Sequence, residues 1–176
     1  MWMMLEIRII QDVLIFRLMY SDKVKVKGRF KIKTFRAGTQ EFLRESEFGN
    51  LVVFNSTSGL LLVMNELLGS STLSLEIQKA KLGTGTTAAA DADTDLETAT
   101  VDNILIATKD QASTSKITFT FFAPDADVPD DTYNEVGIFC DFVDPRLFAR
   151  AIISPAIVKA TNEDLQIEYS VLFSNV

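Results

Sequence analysis

Leu165-Gln-Ile-Glu-Tyr-Ser-Val-Leu-Phe173 is the stretch on which the fold class turns. Leu165, Ile167, Tyr169, Val171 and Phe173 fall on one parity, with Gln166, Glu168, Ser170 and Ser174 on the other. A β-strand sends successive side chains to opposite faces, so this pattern predicts a strand with one buried and one wet face. Working backwards, strand signals recur at 147–154, 134–142, 116–123 and 100–109, and Val136, Ile138, Cys140 and Phe142 share a face. Turn residues at 124–131, Asp144-Pro145 and 161–164 separate them. Further upstream, Leu73, Leu75 and Ile77 alternate with Ser74, Glu76 and Gln78, leading to Leu82 and the loop Gly83-Thr-Gly-Thr-Thr87. The expected architecture is mainly β: an antiparallel β-sandwich or barrel-like domain with one packed α-helix.

That helix is expected at about residues 58–68. Asn55-Ser-Thr-Ser58 offers N-cap side chains, Leu60, Val63, Met64, Leu67 and Leu68 follow helical spacing, and Gly69 suits the C-terminal cap. Residues 39–50 are mixed and polar around Phe42, Leu43 and Phe48 and suggest no element, whereas 51–54 form a short apolar run. In residues 1–20, Glu6, Arg8, Gln11, Asp12 and Arg17 interrupt the apolar side chains, so no membrane span is predicted. A basic start and a small-residue cleavage site, the marks of a signal peptide, are also missing. Two readings of this segment stand: a strand or short helix at an assembly contact, or a translation start placed upstream of the true one. The organisation is read as an N-terminal apolar segment, 1–20, and a single β-rich domain, 21–176.

The chain carries 17 Lys plus Arg, 24 Asp plus Glu, no histidine and one cysteine in 176 residues. An apolar fraction of 47% is too high for a disordered chain of this length. Lacking histidine, it can build neither a Ser-His-Asp or Cys-His nucleophile nor a His-ligated zinc site. A lone Cys140 excludes an intrachain disulfide and any paired-cysteine site. Its apolar alternation makes it a buried small hydrophobe, with nothing adjacent to activate it. These exclusions point away from an enzyme, and no cofactor is expected.

The net charge of −7 is divided unevenly. Residues 1–83 hold 12 basic and 8 acidic side chains; residues 84–176 hold 5 basic and 16 acidic. Lys23, Lys25, Lys27, Arg29, Lys31 and Lys33 occupy alternate positions, with Arg36 close behind. In a strand they form a cationic face, read as a solvated edge, a docking face for an acidic protein surface, or a nucleic-acid contact. The acidic chain as a whole would repel phosphate, so a protein surface is favoured and no nucleic acid is expected.

Asp91, Asp93 and Asp95 alternate, with Asp102 following, a spacing that could converge on a hard cation. The calcium-loop pattern fails at Leu96, where a glycine is needed, so a solvated acidic loop is the default. Asp125, Asp127, Asp130 and Asp131 make a second acidic turn, read in the same way. Gly83-x-Gly85 lacks the third glycine and the Lys-Ser/Thr of phosphate loops and is read as a flexible turn. Glu135 has no visible second carboxylate with which to form a glycosidase pair.

The words Asn50-Leu-Val-Val-Phe54, 59–69, 77–87 and Asp93-Thr-Asp-Leu96 come in an order that resembles tail-fibre and baseplate proteins of tailed bacteriophages. Thr132-Tyr-Asn-Glu-Val-Gly-Ile-Phe139, Leu147-Phe-Ala-Arg-Ala-Ile-Ile-Ser-Pro155, Ile157-Val-Lys159 and the final strand continue the resemblance, which covers roughly residues 28–174. It implies a virion component, often trimeric, that partners itself and other tail proteins, with no catalytic residue to carry over. The first twenty residues fall outside it. Arg150 has two candidate partners, Glu135 or a carboxylate of a neighbouring subunit. Lys23–Arg36, the acidic loops and Arg150 are the candidate interfaces. Binding of a host surface glycan and decoration of a capsid are the alternative roles.

Overall fold

The computed structural model describes residues 24–55, 58–69, 74–141 and 144–175. The 1–20 segment, Lys23, Leu73 and Phe142 lie outside the described residues. Among the described residues eleven strands form in chain order: β1 (Val24–Arg36), β2 (Phe42–Gly49), β3 (Leu51–Val52), β4 (Phe54–Asn55), β5 (Ser58–Gly59), β6 (Ile77–Gly83), β7 (Ala99–Ser113), β8 (Lys116–Ala123), β9 (Asp131–Cys140), β10 (Arg146–Lys159) and β11 (Glu163–Asn175). The helix α1 (Leu60–Leu67) follows β5, and a single 3₁₀ turn covers Asp125–Asp127.

Nine strands join in the order β2-β1-β11-β8-β7-β6-β9-β10-β3, and every pairing among them is antiparallel. The result is a nearly closed, barrel-like antiparallel sheet, as the period of two predicts, with one short helix among the described residues. β7 makes the corner. Its first half pairs with β6 and its second half with β8, so a front layer (β2, β1, β11, β8) turns into a back layer (β6, β9, β10, β3) through one strand.

The core lies between the layers. β11 lies alongside β1 with Phe30 opposite Tyr169 and Ile32 opposite Ile167, and all four side chains are buried. Val136, Ile138 and Cys140 of β9 and Ala149, Ala151 and Ile153 of β10 face them from the back layer. The Tyr169 ring sits 4.8 Å from Phe30 and 6.4 Å from Phe148, centroid to centroid, which seats an aromatic cluster across both layers. Truncating a buried Ile such as Ile167 to Ala is expected to cost about 2–5 kcal/mol.

Three expectations are corrected. Residues 42–49 form a full strand, β2, whose apolar content is too low to show a period. Its carboxylates pair across to β1, Glu47 with Arg29 at 2.6 Å, so pairing rather than burial defines it. The helix N-cap is Gly59, the residue after the Asn55–Ser58 cluster, and it offers no side-chain hydrogen bond. Gly69 does end it, at φ +64° with its N–H donating to Glu66 O. Finally, the apolar stripe of α1 faces the core only in part: Val63 is half-buried and packs on it beside the buried Leu62, whereas Met64, Leu67 and Leu68 are exposed.

Candidate functional site

β9 is buried on both faces. Its second face carries Glu135, Gly137 and Phe139, and the fifteen residues 84–98 between β6 and β7 lie across it. A stretch that long without secondary structure is uncommon and needs its own anchors. Glu135 is the main one. Its Oε1 accepts the N–H groups of Gly85 at 3.1 Å and Thr98 at 2.8 Å, while Oε2 accepts Glu97 N–H at 3.0 Å and Arg150 Nε at 2.9 Å. Arg150, just as buried, donates Nη1 to Asp93 at 2.7 Å and Nη2 to Thr87 O at 3.0 Å. Glu97 closes the loop on itself by accepting from the backbone of Thr86 and Thr87 and from the Thr87 hydroxyl.

The two glycines of the loop have a steric reason. A Cβ at Gly83 would stand 2.6 Å from Glu135 Oε1, and one at Gly85 would stand 2.5 Å from the same atom. Gly137 leaves room for the Leu96 side chain, 2.8 Å from where its Cβ would be. The segment expected to be a flexible turn is therefore a pinned loop.

The same device occurs twice more. Lys81 of β6 is 7% exposed; its Nζ donates to both Asp95 oxygens at 2.9 Å, meets Asp102 at 3.0 Å, and sits 4.5 Å from the centroid of the Phe139 ring. Lys159 of β10, its side chain fully buried, donates to Asp125 at 2.6 Å and Asp130 at 2.9 Å. Burial disfavours the charge on Arg150, Lys81 and Lys159, but bonds to these carboxylates outweigh it and raise all three pKa values. Asp125 is held below its usual range by Lys159, and Asp130 by the Thr161 hydroxyl and then Lys159. A buried cation is tolerated only when paired. The acidic loops, expected only to be solvated, also bond these cations: Asp93 and Asp95 hold Arg150 and Lys81, and Asp125 and Asp130 hold Lys159.

Asp93 and Asp95 thus bond different cations, and among the described residues no group of three or more acidic or thiol side chains is placed to hold a metal ion. Sequence reading singled out Arg150 but missed Lys81 and Lys159. The one signal is at Lys159, which shares its strand parity with the buried Ile153 and Ile157, whereas Lys81 shares its parity with the half-buried Lys79.

The cationic strand divides in two. Lys31 faces Glu47 at 3.3 Å and Glu45 at 3.8 Å, Lys33 bonds Glu168 at 2.5 Å, and Arg36 bonds Glu41 at 2.5 Å. With Arg29 on Glu47, this half is neutralised within the chain. Lys25 and Lys27 are exposed, and among the described residues no carboxylate lies within ion-pair distance of either. On the same outer face Lys27 stands opposite Leu172, which stands opposite Lys116; together they line an open groove of about 800 Å³. No family model, curated protein or solved structure matches the chain.

Proposed function

We propose that the chain is a structural component of a tailed-phage virion, a tail-fibre, adaptor or baseplate subunit that acts through protein–protein contacts. One observation carries the reading. The words behind the resemblance, Gly83–Thr87, Asp93–Leu96, Tyr133–Gly137 and Leu147–Arg150, are distant in sequence yet meet in one network around Glu135 and Arg150. Sequence words that depend on each other physically recur together, so their joint presence weighs more than any one of them. The network organises a loop and a rigid scaffold, which is what an assembly part requires. Lys25 and Lys27, which meet no carboxylate among the described residues, supply with the neighbouring Lys116 a cationic surface for an acidic partner.

Solution mass tests the reading first. Light scattering of purified full-length protein is expected to give an assembled species, three chains being the expected number. Lys25→Glu with Lys27→Glu should leave folding unchanged but weaken assembly, and added salt should weaken the parent's assembly. A monomer at all concentrations, together with no labelling of virions by an antibody to the chain, would end the proposal.

A further inference from the structure

The front layer is cationic at one end and acidic at the other. β1 and β8 begin, and β11 ends, at the first end, which holds Lys25, Lys27 and Lys116. On the outer face there, Lys27 and Lys116 flank the exposed Leu172. The adjoining stretch of β7 adds one carboxylate, Asp110, opposite Thr118, so cations stay in excess. β8 then runs to the 124–131 turn, which carries Asp125, Asp127, Asp130 and Asp131. Lys159 takes Asp125 and Asp130. Asp127 and Asp131 are exposed, and neither is within ion-pair distance of a cation among the described residues.

The two ends cannot neutralise each other within one chain. At about 3.3 Å per residue, the eight residues of β8 hold them roughly 25 Å apart. Screening in physiological salt acts within about 8 Å. A body with unlike ends attracts a copy of itself in one orientation, lysines onto carboxylates, and the net charge of −7 disfavours indiscriminate contact. We propose that the acidic partner of the Lys25, Lys27 and Lys116 surface is the 124–131 turn of a second copy of this chain, with Asp127 and Asp131 meeting the lysines. Two different faces then join, a heterologous contact of the kind that closes rings. The proposal rests on the assembly reading above and names its partner.

Zero-length carbodiimide coupling of the full-length protein, followed by peptide mapping, tests the contact directly. The expected product has two-chain mass and joins Lys25, Lys27 or Lys116 to Asp127 or Asp131. A two-chain product joined elsewhere, or no such product, overturns the proposal. Charge exchange is the second test. Lys27→Glu with Lys116→Glu, or Asp127→Lys with Asp131→Lys, should each raise the dissociation constant of the assembly by about tenfold or more. All four substitutions in one chain merely exchange the ends and should bring it back toward the parent value. A fourfold variant with the parent's circular dichroism that stays dissociated overturns the proposal; if that variant does not fold, the coupling product decides. Assembly through another contact would remove this proposal and leave the virion reading standing. Virions unlabelled by an antibody to the chain would remove that reading and leave the end-to-end contact.

Discussion

Glu135→Gln isolates the charge and one acceptor of the buried network without changing its volume. Glutamine keeps a carbonyl oxygen for Gly85 and Thr98 N–H but places an NH₂ group where Oε2 meets Glu97 N–H and Arg150 Nε. Donors then face donors. The lost neutral bond is worth about 1 kcal/mol and the charge-assisted one about 2–3 kcal/mol, for a total of about 3–4 kcal/mol. Asp93 at 2.7 Å and Thr87 O at 3.0 Å still hold Arg150, so the full cost of an orphaned buried charge is not reached. In a domain of this size the loss lowers Tm by roughly 6–16 °C, read by calorimetry, with faster amide exchange across 84–98. A Tm within about 2 °C of the parent and unchanged exchange would refute the anchoring role. Glu135→Leu with Arg150→Met sharpens the test. Replacing a mere ion pair by apolar side chains is often neutral, but here three backbone N–H groups lose their acceptor, at about 1 kcal/mol or more each. A double variant as stable as the parent would reduce the network to a charge pair.

Gly85→Ala drives a methyl group to 2.5 Å from Glu135 Oε1 and 2.6 Å from Glu97 Cβ; it should cost about 1–3 kcal/mol by chemical denaturation. Gly49→Ala, with nothing within 4 Å, should leave stability within about 0.5 kcal/mol and serves as the control. The carboxyls of Glu97, Asp125, Asp130 and Glu163 lie below their ordinary values in the folded chain, so the stability they add is present above about pH 4 and lost as pH falls through their folded values. Amide protection in 84–98 and 124–131 should therefore fall as pH drops below about 4, before that of β11, and simultaneous loss would contradict it. Burial pushes the Cys140 thiol up to about 12, with the Asp141 charge adding to the effect. Thiol reagents should label it only as the protein unfolds, and prompt labelling in native buffer would show that the site is open.

The strands were legible because the period of two is local: Leu165–Phe173 and the β1 alternation each state which side is buried without reference to any other segment. β2 was not legible, since its definition is the row of charges on β1 that it meets. The helix shows a subtler failure. Spacing at i, i+3 and i+4 establishes that α1 has an apolar stripe but not what lies opposite, and the fold seats Val63 with Leu62 against the core while Met64, Leu67 and Leu68 stay exposed.

Charge separates the two sources of information most clearly. Composition alone determined an acidic, histidine-free chain with its cations concentrated in one strand, and local alternation placed them on one face. Which of them are neutralised depended on sheet order: Lys33 meets Glu168 because β1 lies beside β11, although 135 positions separate the two in sequence. Arg150 and Glu135 belong to adjacent strands, but Gly85, in the loop they hold, lies 50 residues before Glu135. Side-chain period is a property of a single strand and can be read from neighbouring residues. The pairing of buried charges is a property of strands brought together by folding, and only the tertiary structure decides it.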